Sequence, residues 1–210
     1  MIPDSIKHIN LQGQIWNSAI DESSGKLYLD VRKENEEIVM IRLDLSSLKY
    51  DKKKVKHSRW TQLLSVYEDI LYFVEYKDHQ DPNLQEYFSL DWMSGEVKQI
   101  ETIPVKGNHV LQPSIYEHGS DYYKTVAEFL ALDLPLSCEY LEWNDKIIIS
   151  YYLRSGNDYE RNLLLLQNAN KEWKVLQDSQ MKGFSPGAFF VFRDQLIFIK
   201  DRNEVCVYTG

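Results

Sequence analysis

The chain has 210 residues, 43% of them hydrophobic, with 24 basic and 32 acidic side chains for a formal net charge of −8. A chain of this length and apolar content supports its own core without disulfides or zinc, and it is not disordered. The acidic balance argues against double-stranded nucleic acid as a partner, because a basic patch would have to stand out against it.

In chain order, residues 5–11 read as an orphan strand. A pattern then recurs four times: an apolar strand, a tight polar turn, a very apolar strand, a polar loop and a return strand. The first copy turns at Ser23, Ser24 and Gly25, continues through strand 27–31 and loop 33–36, and returns over 38–43. The second has strand 63–67, a turn at Glu68 and Asp69, strand 70–76, loop 78–83 and strand 86–90. The third has strand 139–143, a turn at Asn144 and Asp145, strand 147–153, loop 155–158 and strand 161–167. The fourth has strand 189–192, a turn at Arg193 and Asp194, strand 196–200, loop 201–203 and strand 205–208.

Leu27, Leu71, Ile147 and Leu196 are equivalent positions, 44, 76 and 49 residues apart. The first and last spacings match a propeller blade of roughly 40 to 50 residues. The excess in the middle falls between Thr102 and Cys138. There, Gly119, Ser120 and Asp121 precede Tyr122, Val126, Phe129 and Leu130, which predicts an inserted helix over 121–132. A degenerate fifth blade is the alternative. The fourth copy lacks an outer strand, so residues 5–11 are expected to pair with 205–208 and cover that edge.

The N-terminus has no basic start followed by an apolar core, so no signal peptide is expected. The longest apolar runs, at 146–150 and 163–166, are too short to span a bilayer. Cys138 and Cys206 are expected to be reduced and buried, and the chain to be cytoplasmic. With 14 Tyr, 8 Phe and 5 Trp, the aromatic content suits sheet packing, and a sugar-stacking platform is the sharper reading.

Leu90-Asp91-Trp92-Met93-Ser94-Gly95-Glu96-Val97 resembles the Asp-x-x-Thr/Ser-Gly-x-Val turn of quinoprotein-like propeller repeats, with an echo in Leu43-Asp44-Leu45-Ser46-Ser47. The Asp caps the turn and the Gly permits positive φ. More broadly, Gly13-Gln14-Ile15-Trp16, that turn, the segment 121–130 and Cys138-Glu139-Tyr140-Leu141-Glu142 resemble an uncharacterised bacterial family, a domain of unknown function. The resemblance implies a fold and no activity.

No catalytic, cofactor or metal residue emerges from the motifs. Gly183-Phe184-Ser185-Pro186-Gly187 fits G-x-S-x-G, but the residue after the Ser must donate an N–H to an oxyanion, and Pro186 has none. His8, His57, His79, His109 and His118 show no zinc spacing. The oxygen-rich loop 78–83 lacks the Gly and terminal Glu of a helical calcium loop. The basic run 52–59 reads as a solvated connection between repeats. Glu75, Asp91, Glu117, Glu139, Glu142 and Asp145 lie near strands, but Glu139 and Glu142 are an odd offset apart and face opposite ways.

The sequence thus points to one all-β domain over 1–210, a propeller-like ring of four blades with one inserted helix. The expected function is non-catalytic binding of a protein or small molecule, with no membrane or nucleic-acid partner. Trp16, Trp60 and Trp143 are the candidate ligand contacts, with packing as their favoured alternative. The runner-up is a glycosidase-like hydrolase using carboxylates at the propeller mouth, and a quinone-cofactor oxidoreductase ranks last.

Overall fold

Strands of apolar residues punctuated by Asn, Asp, Gly and Ser turns can pair only with their sequence neighbours, and the result is a series of meanders. The structure, a computed structural model, describes residues 6–209 apart from 36, 57–59, 79–80, 82–83, 105–109 and 168–170. The loop expected at 78–83 therefore lies largely outside the described residues, as do His57, His79 and His109.

The strands run β1 (Ile6–Asn10), β2 (Gln14–Asp21), β3 (Lys26–Arg32), β4 (Ile38–Asp44), β5 (Tyr50–Lys54), β6 (Thr61–Tyr67), β7 (Ile70–Tyr76), β8 (Gln85–Asp91) and β9 (Val97–Ile100). After β10 (Ser114–Tyr116) comes the helix α1 (Asp121–Leu130). Then follow β11 (Cys138–Trp143), β12 (Lys146–Ser155), β13 (Asp158–Gln167), β14 (Lys171–Met181), β15 (Phe189–Phe192), β16 (Gln195–Lys200) and β17 (Glu204–Thr209). They form four antiparallel sheets, ordered β2-β3-β4-β5, β6-β7-β8-β9, β10-β11-β12-β13-β14 and β1-β17-β16-β15. By its contacts the chain divides into two compact units, Leu11–His109 and the combination of Met1–Asn10 with Val110–Gly210.

The Leu11–His109 unit holds the first two sheets. Tyr28, Met40, Leu63, Leu71, Phe73, Leu90 and Trp92 form one core cluster from both. Its edge carries an ionic cluster: Asp69 receives Tyr28 Oη, Lys26 Nζ at 3.1 Å and Arg42 Nη1 at 3.3 Å. Burial pushes the Asp69 carboxyl up, but the bonds from Tyr28 and Lys26 outweigh it and hold it below its ordinary range. The quoted Asp-x-x-Ser-Gly turn forms as its residues dictate. Asp91 Oδ1 accepts the N–H groups of Met93 and Ser94 at 2.8 and 2.9 Å, and Gly95 takes φ +77°. In the echo, Asp44 caps Ser46 and Ser47 in the same way, but the left-handed position falls to Leu48, at φ +57°. The basic run differs from expectation, because Lys52, Lys53 and Lys54 lie on edge strand β5, where lysines protect an open edge.

The other unit holds the last two sheets and α1. Ser120 Oγ caps the helix by accepting Tyr123 N–H at 3.3 Å, and left-handed Ala131 closes it, two residues short of residue 132. The buried stripe is Tyr123 and Val126, with Ala127 and Leu130 packed alongside; Tyr122 and Phe129 face solvent. The helix joins β10 to β11, which pair with each other through Ser114↔Tyr140 and Tyr116↔Cys138. The extra length is thus an insertion into one sheet, and no fifth sheet occurs among the described residues. Helix residues cover one face of that sheet over Cys138, Ile149, Tyr151 and Leu164. On its other face Ile148, Leu163, Leu165, Trp173 and Val175 pack with Phe189, Val191, Leu196, Phe198 and Tyr208 of the fourth sheet. Coverage on both faces explains the uninterrupted apolar runs in β12 and β13.

The orphan N-terminal strand pairs as expected. Ile6 lies opposite Tyr208, His8 opposite Cys206 and Asn10 opposite Glu204, so β1 becomes the outer strand of the fourth sheet. Ile6 also inserts into the core cluster of that unit. Replacing it by Ala (Ile6→Ala) should cost about 2 kcal/mol, read as a melting temperature lower by about 4–8 °C; an unchanged melting temperature would show that β1 contributes nothing.

Candidate functional site

Three groups of side chains stand out from ordinary core and surface. The first sits on β2. Register shifts between Ile15 and Asn17, leaving Trp16 as the extra residue of a bulge, and bulges re-aim side chains. Gly13 makes the approach possible, since a Cβ there would meet Arg32 O at 2.8 Å. Trp16 is 59% exposed, and the Arg32 guanidinium lies over its ring at 4.3 Å. Arg32 Nη2 donates to Thr61 O at 2.7 Å and to Asp30 Oδ2 at 3.3 Å. Thr61 follows Trp60, which is 44% exposed. Gln62 Nε2 donates to Asn17 Oδ1 at 3.5 Å. One guanidinium therefore ties Trp16 to the start of β6 beside Trp60. Strand β6 bulges too, at Leu64, another exposed apolar residue. Burial pushes the Asp30 carboxyl up, and Arg32 opposes the rise.

Trp143 differs from these two. It is 4% exposed and belongs to the core of the other unit, edge-on to Tyr208 at 6.4 Å with Lys146 Nζ 4.7 Å over its ring. It is a packing residue.

The second group is a polar stripe on the five-stranded sheet, on the face that meets the fourth sheet. Ser150 lies opposite Glu139, Arg161 opposite Tyr152, and Asp178 opposite Arg161. All five are buried. Arg161 Nη2 pairs with Asp178. The segment carrying the G-x-S-x-G pattern lies over this stripe as a strap. Ser185 O accepts Tyr152 Oη at 3.1 Å and Arg161 Nη1 at 2.8 Å, and Ser185 N–H donates to Tyr152 Oη at 3.0 Å. Gly187 N–H donates to Glu139 Oε1 at 2.7 Å. Ser185 thus engages through its backbone, in keeping with the rejection of the motif as a nucleophile. Burial pushes the Glu139 carboxyl up, against the Gly187 bond and the Arg161 charge. Glu142 points away from it, exposed, accepting Tyr140 Oη at 2.7 Å. Asp91 and Asp145 serve turns and ion pairs.

The third group joins the two ends of the chain. His8 Nδ1 lies 2.5 Å from Glu204 Oε1 and 3.5 Å from Cys206 Sγ. The three ligand atoms all lie within 4.8 Å of one another, the group among the described residues that could hold a metal ion. Both cysteines are free and buried; burial pushes the Cys138 thiol up to about 11 and the Cys206 thiol up to about 12. Sequence spacing missed this cluster, because its members are neighbours only through the β1–β17 pairing. It also missed Arg32 and Arg161, whose roles depend on partners from other strands.

No family model matches the chain, so the resemblance to a domain of unknown function rests on the quoted segments alone. No curated protein matches it either. Among solved structures it is similar to the crystal structure of TolB from Acinetobacter baumannii, at 14% identity and a TM-score of 0.31, over 96% of this chain and 44% of that one. The chain spans less than half of that protein, and a likeness of this size carries no argument. What the geometry defines is a mostly β protein of four antiparallel sheets with one helix among the described residues, none of whose helices is long and apolar enough to cross a membrane.

Two predictions follow from the buried stripe. Asp178→Asn leaves the Arg161 charge uncompensated and should cost about 3 kcal/mol in urea unfolding. Glu139 binds its proton more tightly folded than unfolded, so its contribution to stability falls as pH rises through the ordinary carboxylate range. Glu139→Gln should therefore gain on the wild type as pH rises above about 4, and a stability difference independent of pH would exclude a raised carboxyl at Glu139.

Proposed function

We propose that this chain is a binding module, non-catalytic and propeller-like, that holds a ligand or protein partner on the bulged edges of β2 and β6. The observation that carries the reading is the exposed Trp16 ring, fixed from one side by Arg32, which also bonds Thr61 O next to exposed Trp60 in the chain. A rigid aromatic with one free face offers contact area at small entropic cost. The propeller arrangement is supported by four consecutive meanders, by the blade-like spacing of Leu27, Leu71, Ile147 and Leu196, and by the pairing of β1 with β17. A cytoplasmic setting agrees with the two free thiols. The hydrolase alternative draws no support from Glu139 and Asp178, which are buried and bonded to Gly187 and Arg161.

The test is a thermal-shift screen of sugars, nucleotides and peptides. A ligand at 100 times its dissociation constant adds about 2.7 kcal/mol, which should raise the melting temperature by several degrees at this chain length. Trp16→Ala should abolish the response and leave the unliganded melting temperature within about a degree, as expected for an exposed side chain. A response that survives Trp16→Ala would place binding elsewhere.

A further inference from the structure

We propose that His8 Nδ1, Glu204 Oε1 and Cys206 Sγ form a site for a zinc-class divalent metal ion that clips the first strand of the chain to the last. The inference is independent of the Trp16 surface, which lies in the other unit.

The register builds the site. His8 is directly opposite Cys206, and Glu204 is two residues from Cys206 on β17, so all three side chains leave the same face. A thiolate, an imidazole and a carboxylate are the donor set zinc prefers. Bond lengths of about 2.0–2.3 Å in a tetrahedron put ligand atoms about 3.3–3.8 Å apart. The Cys206 Sγ to His8 Nδ1 separation of 3.5 Å already lies in that range. The 2.5 Å contact between His8 and Glu204 needs to open by about 1 Å to admit the ion.

The carboxylate is already divided between two tasks. Glu204 Oε1 faces His8, while Oε2 accepts Lys200 Nζ at 3.3 Å. Lys200 is thus the outer partner that orients a ligand without occupying its binding atom. The His8 side chain is 35% exposed and that of Glu204 12%, so the ion has a path from solvent and water completes the fourth position. Cys206 binds as thiolate, its proton passing to water as the metal enters. With 196 residues separating His8 from Glu204, the ion would close nearly the whole chain into a loop.

Cobalt(II) titration of the reduced protein tests the proposal directly. The expected result is one Co²⁺ per chain with a near-ultraviolet thiolate charge-transfer band. Cys206→Ser should abolish that band and Cys138→Ser should leave it intact. His8→Ala should weaken Co²⁺ binding at least tenfold, and Zn²⁺ alone should raise the melting temperature of the wild type and leave that of His8→Ala where it was. If Cys206→Ser does not fold, His8→Ala, altered at a partly exposed edge-strand position, decides the matter. Absence of the band in the wild type, its survival in Cys206→Ser, or unchanged affinity in His8→Ala would each overturn the site.

Discussion

The sheet of β10 to β14 is covered on both faces, by α1 on one side and by the fourth sheet on the other, and that constraint shapes the unit around it. A strand buried on both faces tolerates polar side chains only where each finds a partner. Four of the polar residues of the stripe meet this demand in different ways. Arg161 answers Asp178, Tyr152 answers the Ser185 backbone, and Glu139 accepts from Gly187. The bulge in the β13–β14 pairing adds Gln177, whose amide donates to Ala188 O at 3.3 Å and Ile199 O at 3.0 Å. Apolar burial sets the distance between the sheets, and these bonds set their relative position.

The Leu11–His109 unit solves the same problem differently. Its two sheets share an apolar cluster around Tyr28, Phe73 and Trp92, and their polar contacts sit at the rim. Asp69 gathers three donors there, and Arg42 spans Asp69 and Asp51 while lying over Trp92. Ion pairs at a partly wet rim can change partners at small cost, whereas a fully buried pair cannot. The Asp69 cluster of the unit with the exposed Trp16 thus lies near solvent, whereas the Arg161–Asp178 pair of the other unit is fully buried.

Local features were legible in the sequence. The four meanders follow from apolar runs between turn residues, the helix from Ser120 and the spacing behind it, and the β1–β17 pairing from an orphan strand and a missing one. Of the apolar residues that mark the helix, Tyr122 and Phe129 stand at the surface, Tyr122 stacked against Tyr116 at 5.2 Å. The bulges at Trp16, Leu64 and Gln177 left no trace, since a bulge is a property of two strands and each strand alone alternates normally. For the same reason Trp16 and Trp60 are exposed while the third candidate, Trp143, is core, a distinction that hydrophobicity cannot make.

The pairing of Ile6–Asn10 with Glu204–Thr209 also dictates an order of events. Three of the sheets are built from consecutive strands and form from local contacts. The fourth sheet is complete only when β1 pairs with β17, strands that stand far apart in sequence. Contacts of such sequence separation close slowly. Until they do, β17 presents an open edge, the condition in which strands from neighbouring molecules exchange or aggregate. The long-range β1–β17 pairing is thus the slow step that closes this edge.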